Sequence, residues 1–181
     1  MRKCILVLVL CASVGTSRGQ EAMRTVTRRP SAADSLPNSS AVPEAASLPG
    51  NIRNVLIVRL KYDTDLLQGL ENAVRQNKIR NAVILAGIGS VRNYRFHVVS
   101  SRVLPPNNTF VENPSGPADL ASMNGYVIDG RIHAHLILAN TDKAFGGHLE
   151  TGTTVLTFAI VTLGILGDDV DLSRVDDTSY R

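Results

Sequence analysis

Two residues, Asp129-Gly130, do most to limit how this chain can fold. Both tolerate positive φ, as a two-residue hairpin turn demands, and they separate two strand-like arms at 120–128 and 131–139. Side chains alternate between faces along a strand. Ile132, Ala134, Leu136 and Leu138 therefore point one way, as a core requires, while His133 and His135 point the other.

Beyond the second arm, Gly146-Gly147 is expected to let the chain bend sharply where a Cβ would clash, and His148 follows at once. Two imidazoles on a strand and a third on its return make a plausible three-nitrogen metal site at His133, His135 and His148. Neutral imidazoles suit zinc, and nickel, copper and iron also accept such ligands. Three protein nitrogens would leave a position for water or a small ligand. The plainer reading of these residues is a histidine cluster at a subunit interface, or core histidines satisfied by backbone groups. Asp142 and Glu150 are the nearest acids in sequence. They would either hold the imidazoles from behind or act as the base of a metal-dependent hydrolase. His97, among Arg92, Arg95 and Arg102, reads as a surface or packing histidine.

The rest of the folded part is mostly strand. Residues 52–61 are rich in β-branched side chains, and 82–88 form a continuous apolar run suited to a central strand. Between them Leu66, Leu67, Leu70 and Val74 make a helical stripe that Asp63 or Thr64 can cap. Gly87-Ile88-Gly89-Ser90 lacks both the third glycine and the following helix of a phosphate loop, so its glycines are expected to bend the chain into another strand from 94. Prolines break the chain into loops at 105–108 and 113–117, and 153–166 reads as a buried final strand. Six or seven strands and one helix give an α+β or mixed α/β domain dominated by sheet.

The ends are different in kind. Met1-Arg2-Lys3, an apolar stretch from Cys4 to Val14 and small residues around Ser17 fit a secretory signal peptide over 1–19 rather than a membrane span. Its loss would remove both cysteines and three basic residues, leaving 16 basic against 16 acidic side chains in an exported, disulfide-free chain. Residues 20–50, with four prolines among Ser, Ala and Asn, read as a disordered linker ahead of a domain at 51–167. Residues 168–181 read as an acidic, flexible tail.

The order of motifs resembles the plant and prokaryote conserved (PPC) domain. The resemblance is carried by Gly87-Ile88-Gly89-Ser90, Asn124-Gly125, Asp129-Gly130-Arg131-Ile132-His133-Ala134-His135 and Phe145-Gly146-Gly147-His148-Leu149, across about 52–166. It implies a mixed sheet flanked by a helix, assembly as a homotrimer, and in some prokaryotic members a metal at the positions of His133, His135 and His148. Plant members accompany AT-hooks that bind A/T-rich DNA, and prokaryotic ones are often labelled DNA-binding. This chain has no Arg-Gly-Arg-Pro hook, and Pro117-Ala118-Asp119-Leu120-Ala121-Ser122 stands where plant members carry Gly-Arg-Phe-Glu-Ile-Leu. A neutral mature chain also lacks the surplus charge on which DNA affinity largely rests.

Overall fold

The computed structural model describes residues 38–177 and 180, together with the backbone of 23–27. The expected signal peptide lies outside the described residues. The elements are β1 (Met23–Thr27), β2 (Ile52–Lys61), α1 (Leu66–Gln76), β3 (Ala82–Val99), β4 (Asn108–Asn113), β5 (Ala118–Ile128), β6 (Arg131–Ala139), β7 (Ala144–Leu149) and β8 (Thr154–Leu166). Among the described residues the eight strands form one sheet and there is one helix. Every pairing between named strands is antiparallel, so the α+β reading stands but the sheet is not mixed in direction. β2 and β3 flank β8 and both run antiparallel to it, so they run parallel to each other, and α1 carries the crossover between them.

β3 organises the sheet. Instead of two strands with a bend between them, 82–99 is one strand of 18 residues with register shifts against β8 near Ala86, Val91 and Asn93. Its first half pairs with β5 and β8, and its second half with β4 and β7. β5 pairs with β6 and β6 with β7, so the path β3–β5–β6–β7 returns to β3 and closes on itself. Gly89 permits the curvature. Its φ is +150°, and a Cβ there would collide with the carbonyl oxygen of Phe158 on β8.

The hairpin at 120–139 forms as the sequence predicts. Asp129 and Gly130 have φ of 49° and 77°, and Ile128 faces Arg131 across the turn. Ala134, Leu136 and Leu138 are buried in the core, and Ile132 packs partly buried against it. In α1 the stripe Leu66, Leu70 and Val74 is fully buried. Burying a side chain of that size contributes about 1.5–3 kcal/mol before entropy is counted. The cap is Asp65 rather than Asp63 or Thr64, and it accepts a hydrogen bond from the Gln68 amide at 3.0 Å. Among the described residues no helix is long and apolar enough to cross a membrane.

Three other expectations need revision. The stretch between the proline loops contains β4, which pairs with Tyr94–Val99 of β3. Within the segment read as a linker, residues 23–27 pair with β4 as an added edge strand, so backbone hydrogen bonds order what lacks core-forming periodicity. The acidic tail is tied down over 168–172. Val170 and Leu172 are 5% and 6% exposed and pack with Ile128 and Leu166.

Candidate metal centre

His133 and His135 leave β6 on the face opposite Ala134 and Leu136, as strand alternation requires. His148 on β7 stands directly opposite His135 on β6 and directly opposite His97 on β3. A single rung of the sheet thus aligns His97, His148 and His135 across three strands. Directly paired residues project to the same side with Cβ atoms about 4.5–5.5 Å apart, which is why the rings meet.

The glycine pair makes this rung possible, though not by bending the chain. Gly146 and Gly147 lie inside β7. A Cβ on Gly146 would strike the Leu136 carbonyl oxygen, and one on Gly147 would strike the His97 carbonyl oxygen. Both are backbone atoms and cannot swing aside. The missing Cβ atoms therefore let β7 seat closely between β6 and β3, carrying His148 with it.

Nε2 of His133 lies 3.3 Å from Nε2 of His135. The His148 ring centroid is 4.8 Å from that of His133 and 5.2 Å from that of His135, edge-on to both. One donor atom from each of the three rings lies within 4.8 Å of the others. Zinc–nitrogen bonds of about 2.0–2.1 Å in a tetrahedron place neighbouring nitrogens about 3.3–3.4 Å apart. The His133–His135 spacing already equals that edge, and a donor atom of His148 lies within 4.8 Å of both. The residues fit a tetrahedral divalent metal with one position left for an outside ligand.

Burial, with the neighbouring His97, His133 and His135, pushes the His148 pKa down to about 4, against a smaller opposing pull from Glu150. Burial likewise lowers His135, helped by His133 and His97. Imidazole must be neutral to bind metal. Near neutral pH these two rings are already in that form, so their deprotonation costs the metal little.

His97, read from the sequence as a surface or packing histidine, joins the cluster instead. Its ring stacks on His148 with centroids 4.5 Å apart, and its Nδ1 lies 2.6 Å from Oε1 of Glu150. His97, His148 and Glu150 form a second group able to converge on a cation, with His148 common to both groups. Glu150, expected near the three histidines, engages His97 rather than His133 or His135. Asp142 is not brought to the centre. It sits in the β6–β7 turn, where its amide donates to Oδ1 of Asn140, four rungs beyond the His135–His148 pair. A second carboxylate does arrive from outside the expected set: Oδ1 of Asp176 lies 2.8 Å from Nδ1 of His133. Carboxylates behind His97 and His133 are the arrangement that orients metal-ligating imidazoles.

Fold and centre together define a small antiparallel β protein that presents a histidine cluster on the outer face of its sheet. The chain belongs to the family of the Plants and Prokaryotes Conserved (PCC) domain, whose model matches residues 48–166. Among solved structures it is similar to a plant- and prokaryote-conserved protein from Pyrococcus horikoshii, with 21% identity and a TM-score of 0.57 over 70% of this chain and 89% of that one. It is also similar to a metal-containing protein from Archaeoglobus fulgidus, with 20% identity and a TM-score of 0.56 over 67% and 86%. A hypothetical protein from Salmonella enterica is similar at 22% identity and a TM-score of 0.55 over 67% and 81%. At these identities the likeness is one of fold. No curated protein matches the sequence.

Proposed function

We propose that this is an exported, self-associating metal-binding protein whose His133, His135 and His148 hold one divalent cation, zinc by preference. The observation that carries the reading is the 3.3 Å separation of the His133 and His135 Nε2 atoms, with His148 close enough to complete the set. The metal would supply Lewis acidity, or an anchor for a small anionic ligand, at its open position. The metal content of the Archaeoglobus fulgidus relative is consistent with this reading.

Self-association is supported by the outer face of the sheet. Val55, Ile57 and Ile88 are at least half exposed. Val55 and Ile57 face Gly164 and Thr162 of β8, and Ile88 faces Ile160, so the three lie on one side. The same side reaches the centre through consecutive pairs: Val55 with Gly164, Gly164 with Val83, Val83 with Tyr126, and Tyr126 with His133. Large apolar side chains left exposed on one side of a sheet mark an association surface. A homotrimer, which the family resemblance implies, would cover it and place the histidines at its margin.

The test is metal analysis by inductively coupled plasma mass spectrometry, with zinc titration, on purified wild type, His135→Ala and His148→Ala. The expected result is about one zinc per chain in wild type and a large loss in both variants. Equal metal in all three overturns the reading. Zinc-dependent turnover that chelation abolishes would move the protein to the hydrolases. Tight, salt-sensitive binding to DNA would make it a nucleic-acid partner instead.

A further inference from the structure

The family match ends at residue 166, yet the chain continues as a strap across the tip of the β5–β6 hairpin. Its attachments are specific. Asn81, only 4% exposed, donates from Nδ2 to the Val170 carbonyl at 2.7 Å and accepts at Oδ1 from the Asp129 amide at 3.0 Å. One buried side chain thus ties the strap to the turn of the hairpin that carries His133. Val170 and Leu172 pack on Ile128 at the end of β5, and Arg53 pairs with Asp168 at 2.8 Å. These anchors deliver Asp176 to His133, with Oδ1 2.8 Å from Nδ1.

We infer that Asp176 is a positioning residue, supplied from outside the family domain, that fixes the orientation and tautomer of His133. A carboxylate accepts a hydrogen bond and cannot donate one when ionised. It therefore selects the neutral ring that carries its proton on Nδ1, leaving the Nε2 lone pair free. That lone pair faces His135, 3.3 Å away. Free neutral imidazole favours the opposite tautomer, with the proton on Nε2, where it would block a metal. The strap thus holds one ligand of the centre ready before the cation arrives. Fixing such a ring is worth about 10–100-fold in metal affinity. The affinity consequence rests on the metal reading above, whereas the tautomer does not.

The experiment separates the two. Long-range proton–nitrogen spectra of ¹⁵N-histidine-labelled, metal-free protein at about pH 8, where histidines are ordinarily neutral, report the tautomer of His133 directly. Wild type is expected to carry the proton on Nδ1. Asp176→Ala is expected to shift it toward Nε2, and Asp176→Asn, which keeps an acceptor oxygen, to restore it. In zinc titrations Asp176→Ala should bind about 10–100-fold more weakly than wild type. Truncation after Gly167 should behave as Asp176→Ala does, in both readouts. An Nε2 proton in wild type, or an unchanged tautomer in Asp176→Ala, overturns the inference. If wild type and His135→Ala bind zinc equally, the metal reading fails while the tautomer still decides the role of Asp176.

Discussion

Gly146→Ala tests whether the close seating of β7 builds the centre. The added Cβ would fall on the Leu136 carbonyl oxygen and crowd the Leu136 carbonyl carbon and Ile137 Cα, all of them backbone atoms of β6. No side-chain rotation relieves this, so the two strands must part along the rung that aligns His135 with His148. Overpacking of this kind costs typically 1–3 kcal/mol and occasionally more; with a rigid backbone on the other side, about 2–4 kcal/mol is expected. For a domain of this size that lowers the Tm by roughly 5–15 °C. Separation of His148 from His135 should also weaken zinc binding at least tenfold, because a tetrahedral site tolerates little change in ligand spacing. The control is Gly50→Ala, whose Cβ would make only ordinary contact with Val170 at 3.4 Å and should change stability by less than about 0.5 kcal/mol. Thermal melting by circular dichroism and zinc titration read both effects. A Gly146→Ala protein that melts and binds zinc like wild type would refute the claim that the glycine pair sets the site.

Three further outcomes follow from the same geometry. In metal-free protein the His148 pKa lies well below its unfolded value, so the unfolded chain takes up the proton first as pH falls. Stability should be full above about pH 6.5 and decline toward pH 4, by about 1–2 kcal/mol once solvent screening of a partly exposed ring is allowed for. Urea midpoints across that range measure it, and a flat profile contradicts the stated environment of the ring. Zinc at a hundred times its Kd should add about 2.7 kcal/mol to the stability, and chelation should remove it. Unchanged melting with and without chelator would contradict binding to the folded state. Ile57→Lys, at a position 68% exposed on the apolar face, should shift sedimentation from oligomer to monomer with little loss of monomer stability. An unaltered sedimentation profile would remove this face as the contact.

The parts of this molecule legible in its sequence are those fixed by local periodicity. The Asp129-Gly130 turn, the common face of His133 and His135, and the buried stripe of α1 each follow from spacing over a few residues. The parts that were not legible depend on which strands become neighbours. Alternation of Tyr94 and Phe96 with Arg95 and His97 shows that His97 points outward, but not that β7 lies beside it. That neighbour exists only because the ring of β3, β5, β6 and β7 closes. Gly146-Gly147 looked like a bend because glycine in a sequence does not distinguish a turn from a close approach between backbones. Asp176 was lost in an acidic stretch, although Val170 and Leu172, two residues apart, were the available sign that the stretch docks.

The most direct measurement is X-ray absorption at the zinc edge on protein loaded with one equivalent of metal. The account predicts a four-coordinate site with three imidazole nitrogens at about 2.0–2.1 Å, falling to two in His148→Ala. A spectrum fitted by oxygen ligands alone, or one unchanged by His148→Ala, would contradict it.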